Sequence, residues 1–165
     1  MNKRQLIANK IFNRGSIPHL CAGWRLKGEK IVFTNGCFDL LHKGHIDSLL
    51  QAAEMGNRLV VGLNSDASVR RQAKGPERPL LDEIARSWNL AAQTFVDAVV
   101  IFDEDTPELL IQQVKPDVLA KGGDYTPEQI AGASFVQSYG GEVRIIPITA
   151  GYSTTALVAK ARKQD

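Results

Sequence analysis

Apolar and polar residues form two kinds of pattern along this chain. Short apolar runs bounded by turn residues are typical of buried strands, whereas apolar residues spaced three and four apart are typical of helices. The runs predict strands at residues 31–33, 58–63, 98–102, 118–120 and 143–148. The spacings predict helices at residues 3–13, from Gly44 to a stop near Gly56, at 68–73, at 82–95, between Pro107 and Pro116, at 126–140 and from residue 151 onward.

Strands that alternate with helices are typical of an α/β fold built from βαβ units. We therefore predict a Rossmann-like, doubly wound parallel sheet of five strands in the order 3-2-1-4-5, covered on both faces as an α/β/α sandwich. Residues 1–29 are interpreted as an N-terminal helix and lead-in, with Trp24 as a packing anchor, and residues 30–165 as the main domain.

Composition narrows the classes of function. The chain has 165 residues, which suits one hydrophobic core, and its net charge of +2 gives no case for a nucleic-acid partner. It contains no run of about 18 apolar residues that predicts a membrane span, and residues 1–5 lack the apolar region of a secretion signal. Cys21 and Cys37 are too few for a disulfide framework. We therefore expect a cytoplasmic protein with reduced thiols.

Residues 31–45 hold the most unusual pattern in the chain. An apolar strand leads into the turn Gly36-Cys37-Phe38-Asp39, and His42, Gly44 and His45 open the following helix. Free backbone N–H groups and the positive end of the helix dipole favour a phosphate at such a helix start. Gly44 lets a ligand approach the backbone closely. This stretch therefore predicts a site that handles an anion.

Polar residues also follow the other predicted strands at their carboxyl ends. In a doubly wound sheet these ends share one edge, and ligands bind where the strand order reverses. We therefore predict a nucleotide lying across the first and fourth predicted strands, with a second substrate beside it. The residues concerned are Thr34, Asn35, Gly36, Asn64, Asp66, Lys121, Gly122, Asp124, Ser153, Thr154 and Thr155.

Several of these residues also have a purely structural interpretation. Residues 153–155 include a helix cap, although a cap needs one hydroxyl and three in succession suit phosphate oxygens better. Lys121 is either a phosphate ligand or a solvated strand end, and residues 64–66 are either a ligand contact or an Asx turn. Arg78 and Arg86, taken singly, are interpreted as surface charges.

The signature G-x-F-D-x-x-H-x-G-H, which runs from Gly36 to His45, resembles that of the HIGH-motif, cytidylyltransferase-like nucleotidyltransferase superfamily. Residues 30–162 are also similar to the D-glycero-β-D-manno-heptose 1-phosphate adenylyltransferase family. Its members are often the C-terminal half of a bifunctional heptose kinase/adenylyltransferase. The most specific shared stretch is 121–128, and the others are 33–42, 62–69, 102–107 and 151–155. By this resemblance, residues 30–165 form a nucleotidyltransferase domain.

The resemblance implies transfer of AMP from ATP to heptose 1-phosphate, giving ADP-heptose and pyrophosphate for lipopolysaccharide core synthesis. It implies that His42 and His45 stabilise the α- and β-phosphates in the transition state, with Lys121 as a further positive charge. Mg²⁺ would arrive with the ATP, and no side chain is assigned as a metal ligand. The implied nucleotide contacts are Thr34, Asn35, Gly36, Phe38, Gly44, Lys74, Arg86, Gly122, Gly151, Tyr152, Ser153, Thr154 and Thr155, and the implied sugar contacts are Asp39, Asn64, Asp66 and Asp124.

Two departures from the related families bear on the rival functions. Ile148 stands where the cytidylyltransferases for glycerol phosphate and choline phosphate carry an arginine, and residues 80–85 are more apolar than in the heptose family. The first departure weakens the alternative of a cytidylyltransferase acting on glycerol 3-phosphate or another phosphorylated alcohol. The other rivals are a non-catalytic nucleotide-binding module, which would not need both histidines, and an aminoacyl-tRNA synthetase fragment, which the low net charge disfavours.

The expected partners follow from the same resemblance. They are a small-molecule sugar phosphate and a heptose kinase, which we expect to be a separate protein because this sequence lacks a kinase half. No nucleic-acid or membrane partner is expected, and a homodimer is the assembly that we keep open.

Overall fold

A computed structural model of the chain describes residues 2–72 and 77–162. Its strands are β1 (Ile11–Phe12), β2 (Ile31–Gly36), β3 (Arg58–Asn64), β4 (Ala98–Phe102), β5 (Val118–Gly122) and β6 (Glu142–Ile146). Its α-helices are α1 (Lys3–Ala8), α2 (Ile17–Leu26), α3 (Lys43–Ala53), α4 (Asp66–Arg71), α5 (Glu83–Ala91), α6 (Glu108–Val114), α7 (Ala133–Ser138) and α8 (Thr154–Arg162). Within these ranges no helix combines the length and the apolar character that crossing a membrane requires.

The described strands form one parallel sheet with the order β1-β4-β3-β2-β5-β6. The five predicted strands correspond to β2–β6, and their predicted order is confirmed. The predicted number of strands is wrong by one, because β1 adds to the β4 edge through the pairs Ile11–Val99 and Phe12–Val100. The chain moves outward from β2 to β4 and then crosses back to β5, so the strand order reverses between β2 and β5.

Helices cover both faces of the sheet, as predicted. One core cluster packs α2 and α6 against strand residues such as Phe33, and the other packs α3 and α5 against strand residues such as Val61. Trp24 lies in the first cluster with 8% of its surface exposed, which confirms it as a packing residue. Each fully buried aliphatic side chain in these clusters stabilises the fold by about 1.5–3 kcal/mol.

The N-terminal residues differ from the single predicted helix and lead-in. Helix α1 ends at Ala8, and β1 follows because the Lys10 carbonyl accepts a hydrogen bond from the Val99 N–H at 2.8 Å. Residues 17–26, for which no element was predicted, form α2, with Pro18 in the first turn where proline favours a helix start. Helix α2 packs in the same core as the sheet. The predicted boundary between residues 29 and 30 stays a prediction.

Among the other boundaries that differ from the predicted ones are two near the site. Strand β2 does not break at Thr34 but continues to Gly36, because residues 34–36 still pair with β3. The helix predicted over 126–140 is divided into a 3₁₀ turn (Pro127–Gln129) and α7. The division occurs at Gly132, whose φ of 83° is left-handed and whose added Cβ would lie 2.6 Å from Cδ1 of Ile111.

Candidate active site

A cavity of about 570 Å³ opens at the carboxyl ends of β2, β5 and β6. It lies at the reversal of strand order, which is the place where the sequence predicts a nucleotide. Its walls come from the turn after β2, the start of α3, the start of α8 and the loop before α5. The predicted site residues that line it are Thr34, Asn35, Gly36, Phe38, Asp39, His42, Gly44, His45, Lys121, Gly122, Tyr152, Ser153, Thr154 and Thr155.

Three of the predicted site residues lie behind the cavity wall, namely Arg86, Asn64 and Asp66. Arg86 is fully buried and donates hydrogen bonds to the carbonyl oxygens of Leu81, Cys37 and Asn64, and its Nη2 lies 2.6 Å from Oδ1 of Asp66. This guanidinium therefore ties the turn after β2 to the end of β3 and the start of α5. The interpretation of Arg86 as a surface charge is wrong. Its contact with a phosphate, and the sugar contacts of Asn64 and Asp66, stay predictions.

The remaining predicted positions lie outside the lining. Asp124 and Gly151 are exposed residues close in sequence to lining residues, and Gly151 has a left-handed φ of 85°. Lys74 lies outside the described residues. The assignments of these three residues stay predictions.

The two signature histidines stack on each other at the start of α3. Their ring centroids are 3.8 Å apart and their planes differ by 18°. His42 is the N-cap of α3, and its Nδ1 accepts a hydrogen bond from the backbone N–H of His45 at 3.3 Å. The Nδ1 of His45 lies 3.0 Å from the carbonyl oxygen of Leu40. Because a carbonyl only accepts, that network assigns the hydrogen of neutral His45 to Nδ1 and the hydrogen of neutral His42 to Nε2.

Both rings are held in the neutral form in the unliganded protein. Burial, together with the neighbouring His42, lowers the pKa of His45 to about 4 against the opposing effect of the Leu40 carbonyl. Burial also lowers the pKa of His42. With these tautomers, neutral His42 offers an N–H donor at Nε2, whereas His45 offers one at Nε2 only after it gains a proton.

The lowered pKa of His45 predicts an acid-sensitive stability. The unfolded chain binds a proton at His45 below about pH 6.5, whereas the folded chain does so only near pH 4, so the free energy of unfolding should fall as the pH drops between these values. Denaturant titrations from pH 7 to pH 4.5 measure the slope. His45→Asn, which keeps a donor for the Leu40 carbonyl, should show a smaller loss; equal slopes for the two proteins would contradict the assignment.

Gly44 allows the start of α3 to meet the segment before α8. A Cβ built on Gly44 would lie 3.1 Å from Nδ1 of His42 and 3.1 Å from Cβ of Tyr152. The Lys43 ammonium lies 5.8 Å from the centre of the Tyr152 ring, and Asp47 accepts hydrogen bonds from Lys43 and Thr149. These contacts bring the second helix start against the first.

The start of α8 forms the opposite wall of the cavity. The Oγ of Ser153 accepts a hydrogen bond from the backbone N–H of Ala156 at 3.1 Å, so this hydroxyl provides the helix cap. The hydroxyls of Thr154 and Thr155 line the cavity and bond to none of the residues in the described ranges. Lys121 at the end of β5 donates to Oδ1 of Asn35 at 3.2 Å, which places its ammonium across the gap between β5 and β2.

Sequence reasoning missed several residues of the cavity wall. Arg78 is the most important, because its interpretation as a surface charge is wrong: its side chain is 14% exposed and lies 2.8 Å from Asp39. No local pattern links two residues that are 39 positions apart. The other lining residues that were not predicted as site residues are Cys37, Ser48, Leu49, Val69, Ile146 and Ile148.

Comparison with known proteins identifies relatives over most of the chain. The profile of the cytidylyltransferase-like family matches residues 33–160. Bifunctional protein HldE of Trichlorobacter lovleyi is 53% identical over 152 residues, which is 92% of this chain and 31% of that protein. Bifunctional protein HldE of Rhodopseudomonas palustris is 59% identical over 145 residues, which is 88% of this chain and 29% of that protein. The chain thus spans about a third of the length of these relatives.

Solved structures with the same architecture include a lipopolysaccharide core biosynthesis protein and a ligase. The lipopolysaccharide core biosynthesis protein from Thermoplasma volcanium superposes with a TM-score of 0.60 at 30% identity, covering 74% of this chain and 98% of that one. A pantoate–β-alanine ligase from Francisella tularensis has a TM-score of 0.59 over 92% of this chain and 76% of its own, but at 13% identity it shows the fold alone. The predicted resemblance is confirmed by the family profile and by the identity to HldE, and the chain belongs to the cytidylyltransferase-like family of nucleotidyltransferases.

Proposed function

We propose that this protein transfers AMP from ATP to D-glycero-β-D-manno-heptose 1-phosphate. The products are pyrophosphate and ADP-heptose, and the ADP-heptose is used for lipopolysaccharide core synthesis. The observation that carries the proposal is the identity of 53% and 59% to two proteins named bifunctional protein HldE. The resemblance of residues 121–128 to the heptose 1-phosphate adenylyltransferases supports the same acceptor, and the name of the Thermoplasma relative supports the same pathway.

The reaction needs no covalent protein intermediate. A phosphate oxygen of the sugar 1-phosphate attacks the α-phosphorus of ATP, the bond from that phosphorus to the oxygen bridging to the β-phosphate breaks, and pyrophosphate leaves. Catalysis therefore consists of aligning the two substrates and neutralising the charge that grows on the leaving group. The stacked histidines at the start of α3 and the hydroxyls at the start of α8 provide donors on two sides of one cavity.

The two histidines have different parts in this proposal. His42 donates from Nε2 in its neutral form, because its Nδ1 is occupied as an acceptor. The Nε2 of His45 becomes a donor only on protonation, which nearby phosphate charge favours because negative charge raises the pKa of an imidazole.

The proposal includes Mg²⁺ as the companion of ATP. Among the residues that the structure describes, no group of three or more His, Cys, Asp or Glu side chains is placed to hold a metal. In the proposal, phosphate oxygens and water are the main ligands of the ion, which would supply positive charge to the leaving pyrophosphate. The chain's own part is to hold the phosphates that carry the ion.

Thr154 and Thr155 are expected to bind the β- and γ-phosphates of ATP. Because Ser153 already caps α8, replacing either threonine by alanine should leave the helix intact and weaken ATP binding more than sugar-phosphate binding. Calorimetry with each ligand separately measures the two effects. Ser153→Ala is the matched control for loss of the cap, and an equal loss for both ligands would mean that the threonines act only on the helix.

The test of the proposed function is an assay of pyrophosphate release. ATP and CTP are each offered with heptose 1-phosphate, glycerol 3-phosphate and other sugar and alcohol phosphates. The proposal requires the highest kcat/KM for ATP with heptose 1-phosphate. A site built to hydrogen-bond sugar hydroxyls rejects analogues that lack them, so equal use of glycerol 3-phosphate would overturn the acceptor, and a preference for CTP would favour the rival cytidylyltransferase.

The proposal also includes the biological setting. A separate heptose kinase acts in the same pathway, the protein acts in the cytoplasm, and a homodimer is the assembly to be tested. Sedimentation of the purified protein over a range of concentrations tests the association.

A further inference from the structure

We infer that Arg78 holds the phosphate of the acceptor substrate and that Asp39 is the positioning residue that orients Arg78. The inference rests on the proposed function in naming a phosphorylated sugar as the acceptor. It extends that function to the second substrate. The signature accounts for the two histidines at the phosphate transfer, but it assigns no cationic side chain to the recognition of the acceptor.

Asp39 fastens the loop before α5 to the signature turn. Its Oδ2 lies 2.8 Å from Nη1 of Arg78, and its Oδ1 accepts backbone hydrogen bonds from Leu80 at 2.7 Å and from Leu81 at 3.0 Å. Asp39 is only 5% exposed. A buried carboxylate with three donors is an anchor, so Asp39 holds the Arg78 side chain and the backbone of residues 80–81 in place.

Arg78 retains donors for a ligand. Arg78 lines the cavity, and among residues 2–72 and 77–162 the one acceptor of its guanidinium is Asp39, bonded through Nη1. A guanidinium has five N–H donors in a planar fork whose geometry matches the oxygens of a phosphate. The Arg78–Asp39 ion pair is neutral overall, so the attraction for a phosphate comes from the Arg78 N–H donors that Asp39 does not accept.

The position of Arg78 in the cavity decides which phosphate it meets. Lys121 and residues 153–155 line the side formed by β5 and α8, where the proposed function places ATP. Arg78 and Val69 line the cavity from the segments that follow β3, on the opposite side of β2. On this side of the cavity, the phosphate that is left for Arg78 to bind is that of the acceptor substrate. Arg78 would orient this phosphate so that one oxygen faces the α-phosphorus, without taking or giving a proton.

The test compares Michaelis constants for the two substrates in Arg78→Gln, Arg78→Lys and Asp39→Asn. In Arg78→Gln we expect KM for heptose 1-phosphate to rise about tenfold or more, as for the loss of charged hydrogen bonds, and KM for ATP to stay near the wild-type value. Arg78→Lys should have a KM for heptose 1-phosphate between those of the wild type and Arg78→Gln, since lysine keeps the positive charge but lacks the planar guanidinium. Asp39→Asn should change KM for the acceptor and not for ATP. Arg71→Gln is the matched control, because this arginine pairs with Asp105 outside the cavity.

A second measurement makes the test independent of the sugar. Inorganic phosphate is titrated by calorimetry into protein saturated with a non-hydrolysable ATP analogue, and Arg78→Gln should bind it about tenfold or more weakly than the wild type does. An unchanged phosphate affinity and an unchanged acceptor KM overturn the inference, as does an equal loss for ATP. If the wild type does not turn over heptose 1-phosphate, the proposed function fails, and the phosphate titration still decides the role of Arg78.

Discussion

Replacing His42 or His45 with alanine is expected to lower kcat by roughly 10²-fold or more, the usual cost of removing a preorganised donor from a developing charge. Both rings lie in the cavity wall at the start of α3, stacked with centroids 3.8 Å apart. Under the proposed function, removal of either ring takes away a group that stabilises phosphate charge, and it also removes the packing that orients the other ring. The effect should therefore appear in kcat more than in KM for either substrate.

A structural effect must be separated from a catalytic one in these variants. His42 is the N-cap of α3, so its replacement by alanine also costs about 0.5–2 kcal/mol of stability. His42→Asn restores a capping side chain without the ring and should recover the melting temperature but not kcat. His19, an exposed histidine of α2, provides the matched control His19→Ala. Near wild-type turnover in a stably folded His42 or His45 variant would contradict the proposed catalytic role of that histidine.

The second large effect concerns the choice of base. ATP is expected to be used with a kcat/KM about tenfold to 10²-fold above that for CTP, the range that one or two lost hydrogen bonds account for. Ile148 lines the cavity between β6 and α8 and is 61% exposed. It offers no donor to the O2 and N3 acceptors of cytosine, at the position where the related cytidylyltransferases carry an arginine.

Ile148→Arg tests this explanation directly. The added guanidinium should narrow the preference for ATP by about tenfold, because it supplies the missing donor. Ile148→Ala is the control, since it removes the apolar side chain without adding a donor and should leave the ratio of the two kcat/KM values unchanged. The explanation would be wrong if the alanine variant narrowed the ratio as much as the arginine variant, or if the wild type preferred CTP.

The predicted elements succeeded where burial leaves a local mark in the sequence. Strands β3 and β4 are buried on both faces, so they read as continuous apolar runs and were predicted almost to the residue. Helix α2 was missed although Ile17, Cys21 and Trp24 recur at helical spacing, because Pro18 and Gly23, two residues of low helix propensity, interrupt the pattern. Strand β1 has only two residues, too few for any periodicity, and exists through its pairing with β4.

Residues close together in the chain were placed correctly by sequence alone. His42, Gly44 and His45 belong to one turn and one helix start, so their spacing determines that they meet, and the βαβ pattern determines that this helix start lies at the reversal of strand order. The family resemblance depends on the same local stretches. The meeting of the two histidines needs only backbone geometry over a few residues.

Tertiary structure alone decided the partners of the charged side chains. Arg86 and Asp66 are 20 residues apart and Arg78 and Asp39 are 39 apart, yet each pair lies within 2.8 Å. Periodicity describes which face of an element is buried and says nothing about which distant charge lies opposite. A buried charge is stable only with a partner, and the sheet order brings that partner from another part of the chain. For this reason Arg86 is a buried residue behind the cavity, whereas Arg78 is part of the cavity wall.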